Sequence, residues 1–215
     1  ARSLAISMTQ DLNAWVRGTA IEILGDLGDG KSGNLIRPHL KSPDRAVRYA
    51  AAGALFKLGD RSELDVLLGG LKGGNSADRY QAIGYLGKIG TEEVIPYLEG
   101  LLDGYEDEIV FYSLKAIGKN VDKSILPQLI HLAKHRNPSL RYQSALILGG
   151  LAGVSGLETL RFLCSDKDPM VRLSAAVALT RKGSDDCRGI FLDTINDADY
   201  GIRSTTARVL GELEF

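Results

Sequence analysis

Hydrophobic and polar positions follow a helical period along this chain, and the pattern itself returns every 31 residues. Stepping by 31 from Arg48 reaches an arginine at six of seven positions, which chance does not give. The residues one before, three after and seven after this position are mostly apolar or small, and they share one face of a helix. The seven positions are Arg17, Arg48, Arg79, Val110, Arg141, Arg172 and Arg203. The pattern predicts one amphipathic helix in each period.

The limits of these helices are also visible in the sequence. Four residues before each reference position stand Asn13, Asp44, Asn75, Glu106, Asn137, Asp168 and Asp199, and all but Glu106 are favoured N-caps. Eleven residues after it, Gly28, Gly59, Gly90 and Gly183 fit a C-cap. A second apolar segment, such as "EEVIPYLEGLL", predicts another helix in each period. The chain therefore reads as all-α, with about seven helical hairpins that must stack to bury their faces.

Two of the repeats, "SDKDPMVRLSAAVALTRKGS" and "HRNPSLRYQSALILGGLA", resemble HEAT-like repeats of the short type named after phycobilisome lyases. This resemblance implies a right-handed α-solenoid, an armadillo-like superhelix, with a 31-residue period. We expect a single domain, residues 1–215, which begins with Ala1 as an excised piece would. Its repeats would span residues 1–28, 29–59, 60–90, 91–121, 122–152, 153–183 and 184–215.

The arginine column lies at the edge of the core face of the predicted helix. An arginine there can lay its stem on apolar surface and donate hydrogen bonds to the backbone or a carboxylate of the next repeat. We therefore interpret the six arginines as a structural ladder. In HEAT repeats an Asp six residues before the Arg joins such a ladder, and here only Asp11, Asp166 and Asp197 match that position.

An aromatic residue follows the reference position in four consecutive repeats. These residues are Tyr49, Tyr80, Phe111 and Tyr142. They fall opposite the apolar face, where amphipathicity alone would favour a polar residue. The resemblance places this helix on the concave side of a solenoid, so the column implies a partly exposed aromatic strip that binds a partner. The alternative is that the rings only pack on their neighbours.

A basic column stands nine residues after the reference position, at Lys57, Lys88, Lys119 and Arg181. Cations in the last turn of a helix complement its macrodipole, and the alternative is an acidic partner or a nucleic-acid backbone. Glycines at the position before it include Gly25 and Gly149. Because glycine costs about 1 kcal/mol inside a helix, their repetition suggests close approach of another backbone or of a ligand.

Composition excludes several classes of protein. The net charge is −1, so nothing in bulk favours nucleic acid or an anionic membrane. No apolar run approaches the length of a membrane span. The two cysteines, Cys164 and Cys187, do not suggest a disulfide scaffold, and we expect buried, reduced side chains and a cytoplasmic location.

Motifs that resemble catalytic or cofactor sites fail on context. Residues 25–32, "GDLGDGKS", match the phosphate-binding loop pattern, but they follow a predicted helix and there is no strand to hold them. His131 and His135 have metal-ligand spacing, but neither is followed by the Glu of a zinc motif or of the His-Glu pairs of the HEAT-like deoxyhypusine hydroxylases. We expect no metal, no cofactor and no enzymatic activity.

The sequence therefore predicts a scaffold that binds a protein or peptide on its concave face. A nucleic-acid-binding HEAT-like module and a bilin-lyase-type accessory subunit are the alternatives. Repeat four lacks the arginine, the N-cap and the C-cap glycine, so its rotation relative to its neighbours is expected to differ. The last helix leaves Val209, Leu210, Leu213 and Phe215 without a following repeat, which predicts a homodimer or a further chain there.

Overall fold

The computed structural model describes residues 2–73, 75–118, 121–151 and 153–213, and within them it contains helices and turns without a strand. Contacts divide the chain into two compact units, residues 1–103 and residues 104–215, which are treated separately below. We call them the N-terminal unit and the C-terminal unit. The all-helical prediction is confirmed.

The N-terminal unit alternates short and long helices. They are α1 (Arg2–Met8), α2 (Ala14–Asp26), α3 (Ser32–Ile36), α4 (Arg45–Lys57), α5 (Leu64–Lys72), α6 (Ser76–Ile89) and α7 (Ile95–Glu99), with 3-10 turns at Arg37–Lys41 and Arg61–Glu63. The long helices α2, α4 and α6 carry the repeated arginine, and α4 packs against both of the others. The short helices pack along their sides, with α5 against α4 and α6.

The C-terminal unit repeats this arrangement. Its helices are α8 (Asp107–Ile117), α9 (Leu126–Leu132), α10 (Pro138–Gly150), α11 (Val154–Leu163), α12 (Pro169–Arg181), α13 (Gly189–Ile195) and α14 (Tyr200–Glu212), with a 3-10 turn at Lys123–Ile125. The repeat-bearing helices α8, α10, α12 and α14 pack in that order, each on the next. The helices α9, α11 and α13 cover their other side.

The predicted helix limits agree with the observed ones. All seven predicted N-cap residues stand directly before a repeat-bearing helix, and six accept a hydrogen bond from a backbone N–H of its first turn. Glu106 accepts none, as its side chain predicted. The four predicted C-cap glycines have positive φ angles, between 58° and 95°. Each repeat therefore starts and stops its helix with local chemistry.

The expectation of a single buried face is wrong for the central helices. Residues 49–56 of α4 and residues 173–179 of α12 are all buried. Each of these helices has a repeat-bearing helix on both sides and a short helix against it, so three of its sides are covered. A helix inside a stack therefore needs small or apolar residues almost all round.

Glycines near the ends of these helices permit close helix contact, as expected. A Cβ built on Gly25 would lie 2.7 Å from Ala54 on α4, and one on Gly149 would lie 2.7 Å from Ala178 on α12. Real Cβ atoms do not approach so closely, so glycine is needed at both positions. The same pairing in both units shows that this is a property of the repeat.

The prediction of reduced cysteines is wrong. Cys164, at the end of α11, and Cys187, just before α13, form a disulfide with a Cα–Cα distance of 6.2 Å. Both pack against the buried cluster that contains Leu173 and Ile190. The expectation of a cytoplasmic location was based on reduced cysteines, so the disulfide removes that basis.

Candidate functional site

The arginine column is structural, but its partners differ from the expected ones. The guanidinium Nη1 of Arg17, Arg48, Arg141, Arg172 and Arg203 donates to two backbone carbonyls five and six residues earlier. Arg79 donates instead to the carbonyl of Leu71. Each of the five arginines thus closes the turn that leads into its own helix. The ladder was expected to join neighbouring repeats, and for most of its members that is wrong.

Arg141 alone among the described arginines of this column also reaches a carboxylate of the next repeat. Its Nε and Nη2 donate to the two oxygens of Asp166 at 2.7 and 2.8 Å, and both side chains are buried. Burial by itself raises the pKa of Asp166, but the hydrogen bonds from Arg141 and from the Asp168 amide outweigh it and lower that pKa below the ordinary range. This pair fixes α10 to the turn before α12.

The basic column is engaged within the protein. Lys57 pairs with Asp26 at 2.6 Å, Lys88 with Glu22 at 2.7 Å, and Arg181 with Glu212 at 3.1 Å. Lys119 lies outside the described residues. Lys57 and Lys88 each have a carboxylate partner of their own, so these two residues give no reason to invoke an acidic partner.

Tyr85 fills the face that α2, α4 and α6 present in the N-terminal unit. A Cβ added at Gly18 would stand 3.9 Å from the Tyr85 hydroxyl oxygen, and one added at Gly53 would stand 3.7 Å from the Tyr85 ring. Lys88 Nζ lies 4.6 Å from the ring centre and also binds Glu22. Burial, and then the Glu22 carboxylate, raise the pKa of Tyr85 far above its usual value. The remaining cavity there is only about 10 Å³.

Tyr85 was missed in the sequence analysis, although a signal was present. The equivalent positions one and two repeats earlier are Ala54 and Ile23, so a tyrosine is out of pattern. The glycines at positions 18 and 53 provide the matching space. A large residue at a repeat position that is otherwise smaller, together with glycines at positions that face it from neighbouring helices, predicts a side chain that fills the space between the helices.

Tyr49, the first member of the aromatic column, is buried. Tyr49 is 5% exposed, and a Cβ on Gly70 of α5 would lie 2.3 Å from its hydroxyl oxygen. The absent side chain of Gly70 therefore makes room for the phenol, and the ring packs edge-on against Tyr85 at 6.3 Å. The expectation of a partly exposed Tyr49 is wrong. Tyr80 is half-buried and makes further contacts.

The other two members of the column line a groove in the C-terminal unit. Phe111 and Tyr142 are half-buried. They enclose a cavity of about 390 Å³, lined by Phe111, Pro138, Ser139, Tyr142, Asp168 and Met170. A second cavity of about 150 Å³ shares Tyr142 and Met170 with the first and continues over Leu146 and Val177. The two cavities form one open surface across α8, α10, α12 and α14, which we call the C-terminal groove.

The charges of the C-terminal groove lie at its two ends. In the larger cavity, the carboxylate of Asp168 accepts hydrogen bonds from the amides of Met170 and Val171 and caps α12. At the α14 end, the Glu212 carboxylate accepts from Arg208 at 2.5 Å and from Arg181 at 3.1 Å. Two guanidinium groups therefore share one carboxylate, and the apolar floor between the ends carries no charge.

The motifs that resembled chemistry do not assemble into a site. Residues 25–32 run from the end of α2 to the start of the short helix α3, so they follow a helix and not the strand that a phosphate loop requires. Among the described residues no group of His, Cys, Asp and Glu side chains could hold a metal ion. The same part of the chain has no helix long and apolar enough to cross a membrane.

Comparison with known families identifies the repeats. The family model for HEAT repeats matches residues 2–82, and the model for the PBS lyase HEAT-like repeat matches residues 78–104. Residues 2–104 therefore consist of HEAT and HEAT-like repeats, the last of which is of the PBS lyase type. A search of curated protein sequences finds no match.

Solved structures of low sequence identity share the fold over nearly the whole chain. The Escherichia coli protein YibA is 16% identical, with a TM-score of 0.59 over 97% of this chain and 81% of that one. The phycocyanin lyase complex of CpcE and CpcF from Nostoc sp. PCC7120 is 20% identical, with a TM-score of 0.52 over 99% and 94%. Importin beta is 15% identical, with a TM-score of 0.51 over 97% of this chain and 35% of that one. These similarities show the solenoid fold.

Proposed function

We propose that this protein is a non-enzymatic scaffold that binds a segment of another protein in the C-terminal groove. The observation that carries the proposal is the pair of joined cavities, whose walls include Phe111, Tyr142, Leu146 and Met170. Aromatic and methionine side chains in a groove are typical carriers of binding energy at protein interfaces. Leu146 is 42% exposed, so part of this apolar surface is open to a partner.

The dimensions of the groove favour a polypeptide as the ligand. It crosses four helices, and packed helices lie roughly 8–10 Å apart, so its length is about 25–30 Å. Small-molecule pockets enclose most of their ligand, whereas this surface is open along its length. An extended segment or an amphipathic helix of a partner matches such a groove.

The comparisons support an interaction scaffold without naming a partner. The CpcE–CpcF structure is a complex of two proteins, and it shares the fold of this chain. The likeness extends to the fold alone, so a role as a bilin-lyase-type accessory subunit gains no specific observation. A nucleic-acid interface gains none either, because Lys57, Lys88 and Arg181 already pair with acidic residues.

Selection of random dodecapeptides on the immobilised protein tests the proposal. We expect bound peptides to lose affinity by 100-fold or more when Phe111 and Tyr142 are both replaced by alanine, because aromatic anchors often contribute about 2 kcal/mol each. Tyr97→Ala, an exposed aromatic of the N-terminal unit, is the matched control and should leave affinity unchanged. Equal binding by the double variant and by wild type, measured by fluorescence polarisation, would contradict the proposal.

A second contact surface is favoured by one observation at the last helices. A mainly apolar cavity of about 350 Å³ is lined by Arg188, Gly189, Phe191, Leu192, Ile195 and Leu210. Leu160 and Leu179, which stand one period before Phe191 and Leu210, are fully buried in the repeat that α13 and α14 follow. We propose that another HEAT-like hairpin, of a second copy or of a further chain, covers this face. Phe215 lies outside the described residues.

Sedimentation velocity tests the contact through a second copy. Leu192 is 71% exposed, so Leu192→Glu should leave the fold intact and shift any dimer to monomer. A wild-type protein that stays monomeric at high concentration would exclude the homodimer.

A further inference from the structure

We propose that the C-terminal groove selects segments in which an apolar residue is followed or preceded, about five or six positions away, by an acidic residue. This inference rests on the proposed function and specifies the chemistry of the partner. It follows from the change in the floor of the groove between α10 and α14.

The floor changes from apolar to basic at its last helix. Leu146 on α10 and Val177 on α12 hold equivalent positions one period apart, and the next position in this series is Arg208 on α14. All three line the same cavity. A ligand that lies along the floor therefore meets two apolar side chains and then a guanidinium group.

Among the described side chains that line this end, the cations outnumber the carboxylates. Arg208 and Arg181 both donate to Glu212, and their side chains are 64% and 55% exposed. Within this described cluster, one carboxylate balances one of the two positive charges. Guanidinium groups bind carboxylates with paired hydrogen bonds, and a ligand carboxylate would complete this cluster.

The larger cavity, at the opposite end, has no cation in its lining, and Lys115, which stands one period before Leu146 on α8, is exposed but lines neither cavity. There Phe111, Pro138 and Tyr142 form the wall, and the Asp168 carboxylate is held by backbone amides of α12. An apolar anchor of the ligand fits this end, and an acidic residue would be repelled by Asp168. The arrangement therefore places the apolar residue of the ligand at one end of the groove and its acidic residue at the other.

The spacing between the two determinants follows from the helix stack. From Tyr142 on α10 to Arg208 on α14 there are two helix-to-helix steps, which amount to roughly 16–20 Å. An extended chain rises about 3.3 Å per residue, so five or six residues span this distance.

The peptides selected on the wild-type protein provide the test. We expect them to share an aromatic or aliphatic residue and, five or six positions away, Asp or Glu. Replacing that Glu by Gln in a synthetic peptide should weaken binding roughly fivefold at low salt, as expected for an exposed ion pair, and less at high salt.

Variants of the protein separate this inference from the proposed function. Arg208→Leu continues the apolar row and should keep affinity for the apolar anchor while it abolishes the preference for Glu over Gln. Arg208→Glu should reverse the preference towards Lys or Arg in a repeated selection. Arg161→Glu is the matched control, because Arg161 is an exposed, ion-paired arginine on α11 outside the groove, and it should change nothing.

Each outcome decides between the two proposals. Peptides that depend on Tyr142 but show no acidic preference, or keep it in Arg208→Leu, would overturn this inference and leave the proposed function intact. A selection that yields no peptide dependent on Phe111 or Tyr142 would overturn both.

Discussion

The two units build the same stack of repeat-bearing helices and use its exposed face in opposite ways. In the N-terminal unit, Tyr85 lies over glycines of α2 and α4, and the remaining cavity measures about 10 Å³. In the C-terminal unit, the corresponding face is open, with cavities of about 390 and 150 Å³. The position of Tyr85 is occupied there by Ile147 on α10 and Ala178 on α12, which are too short to cover it. One side chain thus distinguishes a closed face from an open one.

The two faces also differ in how their basic residues are paired with carboxylates. In the N-terminal unit Lys57 and Lys88 each have a separate carboxylate partner, Asp26 and Glu22. At the α14 end of the C-terminal groove, two arginines share the carboxylate of Glu212. Among the described residues, each of these two lysines of the closed face has its own carboxylate, whereas the two arginines of the open face share one.

The units also differ in the covalent and ionic contacts that hold neighbouring repeats together. The C-terminal unit has the buried Arg141–Asp166 pair and the Cys164–Cys187 disulfide. In the N-terminal unit, the residues that stand 25 after Arg17 and Arg48, as Asp166 stands after Arg141, are Ser42 and Gly73, and neither carries a carboxylate. The open groove therefore lies on repeats that a buried ion pair and a disulfide hold together.

The largest expected effect comes from breaking the buried ion pair. Asp166→Asn should destabilise the C-terminal unit by about 3 kcal/mol, because it leaves the Arg141 guanidinium buried without its counter-charge. Asp197→Asn is the control, since Asp197 holds the same repeat position and hydrogen-bonds only the amide of Asp199 through its side chain. Urea denaturation followed by circular dichroism measures both, and equal small losses would contradict the account.

The same pair makes a pH-dependent contribution. The pKa of Asp166 is lowered in the folded protein, so its contribution is present above the ordinary Asp pKa of about 4 and is lost as the pH falls through the lowered value. The difference in stability between wild type and Asp166→Asn should therefore shrink in acid. A difference that stays constant down to the acid transition would exclude this origin.

Reduction of the disulfide should have the next largest effect. Cys164 and Cys187 are 23 residues apart, and a loop of this size contributes roughly 3 kcal/mol at most through the entropy of the unfolded chain. The sequence has no other cysteine, so the N-terminal unit serves as an internal control. Hydrogen exchange with and without dithiothreitol should show faster exchange in α11–α13 and no change in α2–α6. Equal change in both units would contradict the comparison.

Smaller losses of stability are expected from replacing Tyr85, which fills the face of the N-terminal unit, and Tyr142, which lines the C-terminal groove. Tyr85→Ala should cost about 2 kcal/mol, because it empties space between α2, α4 and α6. Tyr142→Ala should cost less than about 1 kcal/mol, because its half-buried ring stands at the edge of an open groove. Thermal denaturation of the two single variants compares them directly. The reverse order would mean that Tyr142 is the packing residue.

Much of the fold was predictable because its determinants are local. Caps such as Asn13 and Asp44, C-cap glycines such as Gly59, and the arginine of each turn act within a few residues, and they repeat. The burial of Tyr49 was not predictable in this way, because the space it fills is provided by Gly70 on the next short helix. Helical periodicity predicts which face of a helix is apolar, but it does not predict which other helices pack against the remaining faces.

The candidate site was predictable only in part for the same reason. The aromatic column contained Phe111 and Tyr142. The spacing of the column did not show that Tyr85, which is not a member, fills the corresponding face of the N-terminal unit. The disulfide was missed because Cys164 and Cys187 occupy different positions of the repeat, so the period does not align them. The repeat period does not predict contacts between residues that occupy different positions of different repeats.

Hydrogen exchange of the intact protein with a selected peptide tests the central claim most directly. We predict that the peptide slows exchange in α8, α10, α12 and α14, and that α2, α4 and α6 are unchanged, because the open groove lies in the C-terminal unit and Tyr85 fills the corresponding face of the N-terminal unit. The Phe111→Ala, Tyr142→Ala double variant should lose this protection. Protection of α2, α4 and α6 instead, with none in the C-terminal unit, would contradict the account.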